Sequence, residues 1–341
     1  MERDGRRVLP RLPGRSELHV MKHEAFLARR AELRATRPSL VDLSELNVYR
    51  SLARLFPAIA PSTHPEAPYR CHLAERFLAH LELPQALKPR TQISHGIRRS
   101  LRALFELLAK RDARVGVPAD VYPVYQQLAA EAGATVVPWN ARLGLPVLDG
   151  LDAVLICEPL KPWGSHLSPP EAAQLRRWAR ADERRMLILD SAYATPPTEQ
   201  ARALLDDGSA ILLASLSKGW LIPDHAGLCI VPERFQKEAR DAFAKLPKDE
   251  PRLRIAYAAL TEHASRPREV GAILSDRARS LDALTSARPD LRASRCTGYF
   301  AISARSFGEL LEIGILGVPA PVFGGPEDLS VLSSLECQGA R

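Results

Sequence analysis

From residue 91 onward the chain alternates short apolar runs with amphipathic stretches. "RVGVPA" leads to "YQQLAAEAG", "TVVPW" and "LDAVLICEP" to the helical "SPPEAAQLRRWARADE", "RMLILDSAYA" to a short helix, and "AILLASLSK" to "GLCIVP". The runs are about four to eight residues long and several are rich in Val, Ile and Leu, which is the pattern of strands buried on both faces. Such strands in alternation with helices predict a doubly wound, mostly parallel α/β sheet over residues 51–235.

Two flanking regions break that alternation. Residues 1–50 are basic and punctuated by proline, with one helical stretch, "HEAFLARRAELRA", and predict an arm plus a helix. "YRCHLAERFLAHLEL" then carries Leu73, Phe77, Leu78 and Leu81 at helical spacing. After Pro232 two long helical stretches run through "ERFQKEARDAFAKL" and "RLRIAYAALTEHASRPREVGAILSDRARSLDALTSA". An extended "GYFAISA", a helix in "SFGELLEIGI" and a tail of short segments follow, which predicts a smaller α+β unit over residues 236–341.

Composition narrows the partners. Of the 341 residues 46% are apolar and 26% charged, values of an ordinary folded chain too long for one small core. The net charge of +7 comes almost wholly from arginines interspersed with Asp and Glu. Without a like-charge block, a zinc-finger spacing or aromatic–basic interleaving, that charge predicts a solvated surface and no nucleic-acid or metal site. The five cysteines are odd in number and form no C-x-x-C pair, so reduced thiols are expected. The first residues lack the apolar core of a secretory signal, and no apolar run approaches the roughly 20 residues that span a bilayer. A cytoplasmic protein without a membrane partner is the expectation.

Three strand ends carry candidate chemistry. "RMLILDSAYA" brings Asp190 to the end of a buried strand, with Tyr193 shortly after it. A carboxylate there faces the crevice in which parallel sheets bind ligands, although an Asp in that place also serves to cap the next helix. "SLSK" ends another run in Ser215, Ser217 and Lys218. A lysine amine beside apolar walls suits Schiff-base chemistry; the alternative is an ordinary lysine reaching solvent. "VPADVYPVY" places Tyr122 past a third run, either stacked on a planar ligand or packed in the first turn of a helix.

In chain order, Tyr122, "EPLKPWG", Asp190-x-x-Tyr193 and Ser215-x-Ser217-Lys218 resemble the fold-type-I enzymes that use pyridoxal 5′-phosphate (PLP), specifically the class I/II aminotransferase family. The resemblance runs from about residue 40 to the C-terminus, where "GILGVPAPVFG" after "GYFAISA" is similar to that family's last segment. It implies that Lys218 holds PLP through a Schiff base and shuttles the substrate's α-proton. Asp190 would pair with the pyridine nitrogen, Tyr193 would hydrogen-bond the ring's O3′, and Tyr122 would stack on the ring. Ser215 and the amides of Gly96 and Ile97, opening a helix, would hold the phosphate. A homodimer and a small amine or amino-acid-like substrate are implied in the same way, with Tyr69 a candidate to reach across the dimer.

Departures from the family's pattern accompany the matches. Lys161 stands where an asparagine donates to O3′, so it either takes over that bond or points away. His225 or Ala226 stands where an arginine clamps the phosphate, and Arg98 or Arg99 are the candidates to restore that charge. Val331 or its neighbour stands where a bidentate arginine takes the substrate's α-carboxylate, which leaves Arg305 as a candidate or points to an unusual substrate. Three readings stay open: an aminotransferase acting on a specialised biosynthetic intermediate, a decarboxylase, lyase or cyclase using the same cofactor, and a PLP-fold binding protein without catalysis.

Overall fold

The computed structural model describes residues 23–63, 69–247, 249–296 and 298–337. Most of the expected N-terminal arm, residues 1–22, and the side chain of Tyr69 lie outside the described residues. Seven strands form the large sheet: β1 (Thr91–Ser94), β2 (Arg114–Pro118), β3 (Thr135–Trp139), β4 (Ala153–Cys157), β5 (Met186–Asp190), β6 (Ala210–Ser215) and β7 (Gly227–Ile230). Their order is β1-β7-β6-β5-β4-β2-β3. Strands β2 to β6 are mutually parallel, and β7 is antiparallel to both of its neighbours.

The expected doubly wound sheet is therefore present, and its register explains the unbroken apolar runs. Leu187, Leu189, Leu212 and Ala214 face one core, while Met186, Ile188, Ile211 and Leu213 face the other. Successive side chains alternate between faces, and helices cover both, so neither parity can be polar. Helices α2 (Tyr69–His80), α5 (Pro169–Ala181) and α6 (Glu199–Asp206) close the first core; α3 (Ile97–Ala109) and α4 (Val124–Glu131) close the second. The start of α5 is written locally: Ser168 and Glu171 form a reciprocal capping box, with proline in the first turn, where its missing N–H costs nothing.

The rest of the chain divides differently from the sequence expectation. Helices α7 (Gln236–Ala244) and α8 (Glu250–Thr261) belong to the large sheet, because Ala239 and Phe243 enter one of its cores and Leu253, Ala256 and Leu260 the other. The single long helix expected through "TEHASRPREV" is two, since Pro267 in the first turn of α9 (Arg266–Ala287) starts a new helix after the turn at His263. The smaller C-terminal unit is built on an antiparallel sheet of β8 (Ala293–Arg295), β9 (Phe300–Ser303), β10 (Val318–Pro319) and β11 (Ser330–Ser333), in the order β10-β11-β9-β8.

The N-terminal helix α1 (His23–Thr36) packs on that smaller unit. Phe26 and Leu33, with Val48 and Leu52, share a core with Phe300, Phe307, Val318 and Val331. Val41–Asp42 pairs in parallel with Ile315–Leu316, and the Ser51 hydroxyl donates to the Leu335 carbonyl at 2.6 Å. The buried Arg30 is held by Glu45 at 2.7 Å and Asp42 at 3.0 Å. Among the described residues no helix is long and apolar enough to cross a membrane.

Candidate active site

The carboxyl ends of β4, β5 and β6 meet at one edge of the sheet, where Cys157 pairs in register with Asp190. Parity then decides where Asp190 points. It follows Met186 and Ile188, so it lies on the face covered by α3 and α4. It does not cap the next helix, which is capped by Thr198. Instead its Oδ2 accepts the Tyr125 hydroxyl at 2.8 Å and its Oδ1 accepts the Ala192 amide at 2.9 Å. Only 5% of Asp190 is exposed. Burial pushes its carboxyl above the usual range, and the Tyr125 bond, the Ala192 amide and the charge of Lys218 pull it back. Burial and the Asp190 charge push the Tyr125 phenol well up, so it stays a donor.

Tyr125 is a residue that the sequence reading missed, although it closes the quoted "VPADVYPVY". The other candidates converge. Asp190, Tyr193, Lys218, Tyr122, Arg98 and Lys161 line one cavity of ≈ 200 Å³. The Lys218 Nζ lies 5.1 Å from the Tyr193 ring centroid, not out in solvent. Arg98 donates to the Tyr122 hydroxyl at 3.1 Å, and its guanidinium lies 5.8 Å from that ring. Lys161 points inward: its Nζ is 5.5 Å from the centroids of Tyr193, Tyr299 and Phe300, and burial lowers its pKa to about 8.

A second cavity of ≈ 340 Å³ shares Lys218 and Asp190 with the first and is bounded by Gly96, Ile97, Ser215 and Asp224. Gly96, with φ +92, makes the turn from β1 into α3, and the Ser94 hydroxyl donates to its carbonyl at 3.0 Å. Gly227 opens β7 directly against that turn: a Cβ there would lie 2.7 Å from the Gly96 carbonyl carbon. Gly96, the residue before α3, has no side chain to cap the helix, and Gly96 and Ile97 line the cavity at its N-terminus. The Ser215 hydroxyl accepts the Ser217 amide at 3.0 Å and donates to the Ser217 hydroxyl at 2.8 Å.

Other candidates do not join this group. His225 lines neither cavity; its Nδ1 is 2.7 Å from the Pro223 carbonyl. Arg99 lines neither cavity, whereas Arg98 lines both. Arg305 is engaged elsewhere, by the Asp290 carbonyl and, at 3.9 Å, by Glu309. Val331 is fully buried in the smaller unit's core.

The architecture, a mostly parallel seven-stranded sheet with a smaller antiparallel C-terminal unit, is the fold of the class I/II PLP-dependent aminotransferases. Among solved structures, the chain is similar to substrate-bound BacF from Bacillus subtilis (TM-score 0.69, 15% identity, 96% of this chain and 95% of that one). A Thermus thermophilus aspartate aminotransferase mutant matches with TM-score 0.67 and 20% identity over 98% of this chain and 96% of that one. YbdL from Escherichia coli, a methionine aminotransferase, matches with TM-score 0.65 and 17% identity over 96% of each chain. No family model and no curated protein matches the sequence.

Proposed function

We propose that this chain is a PLP-dependent, aminotransferase-like enzyme for a small amine or amino-acid-like substrate, with Lys218 as its reactive amine. The observation that carries this reading is the convergence of Lys218, Asp190 and Tyr193 on one cavity at the carboxyl edge of the sheet. The residues present fit the cofactor. A buried carboxyl that lines the cavity suits a protonated ring nitrogen, and an uncapped helix N-terminus beside Ser215 suits a phosphate. Arg98 brings a guanidinium to the same place, and Tyr122 offers a ring face. Asp224 departs from the fit, because its carboxylate lies against the Gly96 turn, at the end meant for an anion.

Bound in these cavities, PLP supplies an electron sink for a bond at the substrate's α-carbon. Lys218 would provide the amine that holds the cofactor and would take and return a proton at that carbon. Asp190 presents a negative charge that its two donors hold in one orientation. Tyr193 sets its ring beside both Lys218 and Lys161. Buried apolar walls, Cys157 and Phe323 among them, exclude water from the reacting groups.

The test is the visible spectrum of the purified protein with PLP, for wild type and Lys218→Ala, before and after an amino-acid and amine pool is offered. The expected result is a band in wild type, altered in the variant, that an amine converts to the pyridoxamine form. A band that forms and never converts moves the reading to a decarboxylase or lyase; no band at any PLP concentration defeats it. A homodimer in a reducing compartment is part of the proposal, the latter supported by free thiols at Cys157, Cys229, Cys296 and Cys337. Sedimentation at several concentrations tests the former.

A further inference from the structure

The end of the second cavity that suits a phosphate has two walls, drawn from different parts of the chain. Gly96 and Ile97 form one, at the start of α3; Pro223 and Asp224 form the other, in the loop between Lys218 and β7. That loop is strained. Leu221 and Asp224 are both left-handed, with φ 57 and φ 59, and neither is glycine, so contacts elsewhere must hold it in place. Three successive carbonyls supply those contacts. The Pro223 carbonyl lies 2.7 Å from the Nδ1 of His225, and the Asp224 carbonyl accepts Arg252 at 3.3 Å. The His225 carbonyl lies 3.0 Å from the Nδ1 of His95.

His95 directly precedes Gly96 and is 7% exposed. It lines neither of the cavities that share Lys218 and Asp190, but a separate one of ≈ 260 Å³ among β1, α7 and α8. Its Nε2 accepts the Asp249 amide at 3.0 Å, so that nitrogen bears no proton. The His225 carbonyl can only accept, so the proton sits on Nδ1. The ring is then neutral, with both nitrogens used. Asp249 in turn caps α8 through the Arg252 amide at 3.2 Å and pairs with the Arg252 guanidinium at 3.0 Å, the group that also holds the Asp224 carbonyl. One imidazole thus joins the Gly96 turn, the Asp224 loop and the start of α8. We propose that His95 is a positioning residue for the cofactor's phosphate: it sets the separation of the Gly96 and Asp224 walls without touching the ligand. The inference rests on the function proposed above, because that end of the cavity is assigned to the phosphate.

The test compares PLP with pyridoxal, the same ring and aldehyde without the phosphate, by absorbance titration of wild type, His95→Ala, His95→Asn and His95→Gln. His95→Ala is expected to lose about 10-fold in PLP affinity, the worth of a hydrogen bond, and to keep its affinity for pyridoxal. A general loss of structure would lower both alike. The Asn amide reaches the place of Nδ1 and restores the bond to His225, so His95→Asn should stay within about 3-fold of wild type for PLP. The Gln amide extends to the place of Nε2 and restores only the bond to Asp249, so His95→Gln should bind PLP as weakly as His95→Ala. Where His95→Ala fails to fold, the Asn and Gln variants decide in the same way. Equal losses for PLP and pyridoxal, or an Asn variant no better than the Gln one, overturn the proposal. A second arm needs no aldehyde: calorimetric titration with inorganic phosphate, which should bind wild type and His95→Asn more tightly than the other two. Phosphate binding that is absent in wild type, or the same in every variant, overturns the role of His95 even where the PLP band forms. Phosphate binding in the expected order with no PLP band leaves that role standing and defeats the enzymatic reading instead.

Discussion

Tyr125 gives Asp190 one of its two donors and packs behind it in the core under α3. Tyr125→Phe keeps the packing and removes the bond, so the Asp190 carboxyl should rise further and lose its fixed orientation. Turnover is expected to fall about tenfold, with far-UV circular dichroism unchanged. The sequence offered Tyr122 and Tyr125 in one short string, and the start of α4 at Val124 separates their roles, with Tyr122 in the loop before it and Tyr125 in its first turn. Lys161 makes a different prediction. Its ordinary pKa of 10.5 falls to about 8 on burial. Between those values the unfolded chain holds a proton that the folded chain lacks, so stability rises with pH across that window. Below about pH 8 the full cost, on the order of 3 kcal/mol, is present. Lys161→Met should therefore be the more stable protein near pH 7, and the gap should close by about pH 10, as urea titrations at both values would show.

The turns at the strand ends were readable because their chemistry is local. The Asp190 strand, the Ser215–Lys218 turn and the Gly96 turn all lie where the apolar runs end. What local sequence does not contain is the approach of one turn to another. Gly227 is an ordinary strand glycine until β7 is laid against Gly96. Gly227→Ala should push β7 and the start of α3 apart, lower stability by about 1–3 kcal/mol, and weaken PLP binding more than the stability loss explains. Asp224 sits in a left-handed conformation, φ 59, against the same turn. Asparagine tolerates that conformation. Asp224→Asn thus removes a negative charge from the helix end at little backbone cost, and PLP or inorganic phosphate should bind about 3-fold tighter, read by calorimetry. The break between α8 and α9 is also local, in Pro267, but apolar spacing continues across it and masks it.

At the scale of the molecule, the sequence showed a large sheet and a smaller C-terminal unit but not which helices each would recruit. Amphipathic helices announce that they have a partner, not which partner. Helices α7 and α8 went to the large sheet and α1 to the far end of the chain. Deleting residues 23–36 removes Phe26 and Leu33 from the smaller unit's core. Hydrogen exchange should then show protection lost in β9 and β11 and kept in β5, since the sheet that bears Asp190 draws nothing from α1.

The closure of Ser51 onto Leu335 has a consequence for synthesis. Those residues are 284 apart in sequence, so the contact forms only after the residues between them have been made. The large sheet's strands all lie between residues 91 and 230 and can pair early. Residues 23–52 then wait, with Phe26, Leu33, Val48 and Leu52 uncovered, until β11 emerges. The nascent protein thus carries an apolar segment lacking its final partner for as long as the residues up to β11 are being made. This segment is where a holdase chaperone would bind, and where slow translation of the residues leading to β11 would raise aggregation.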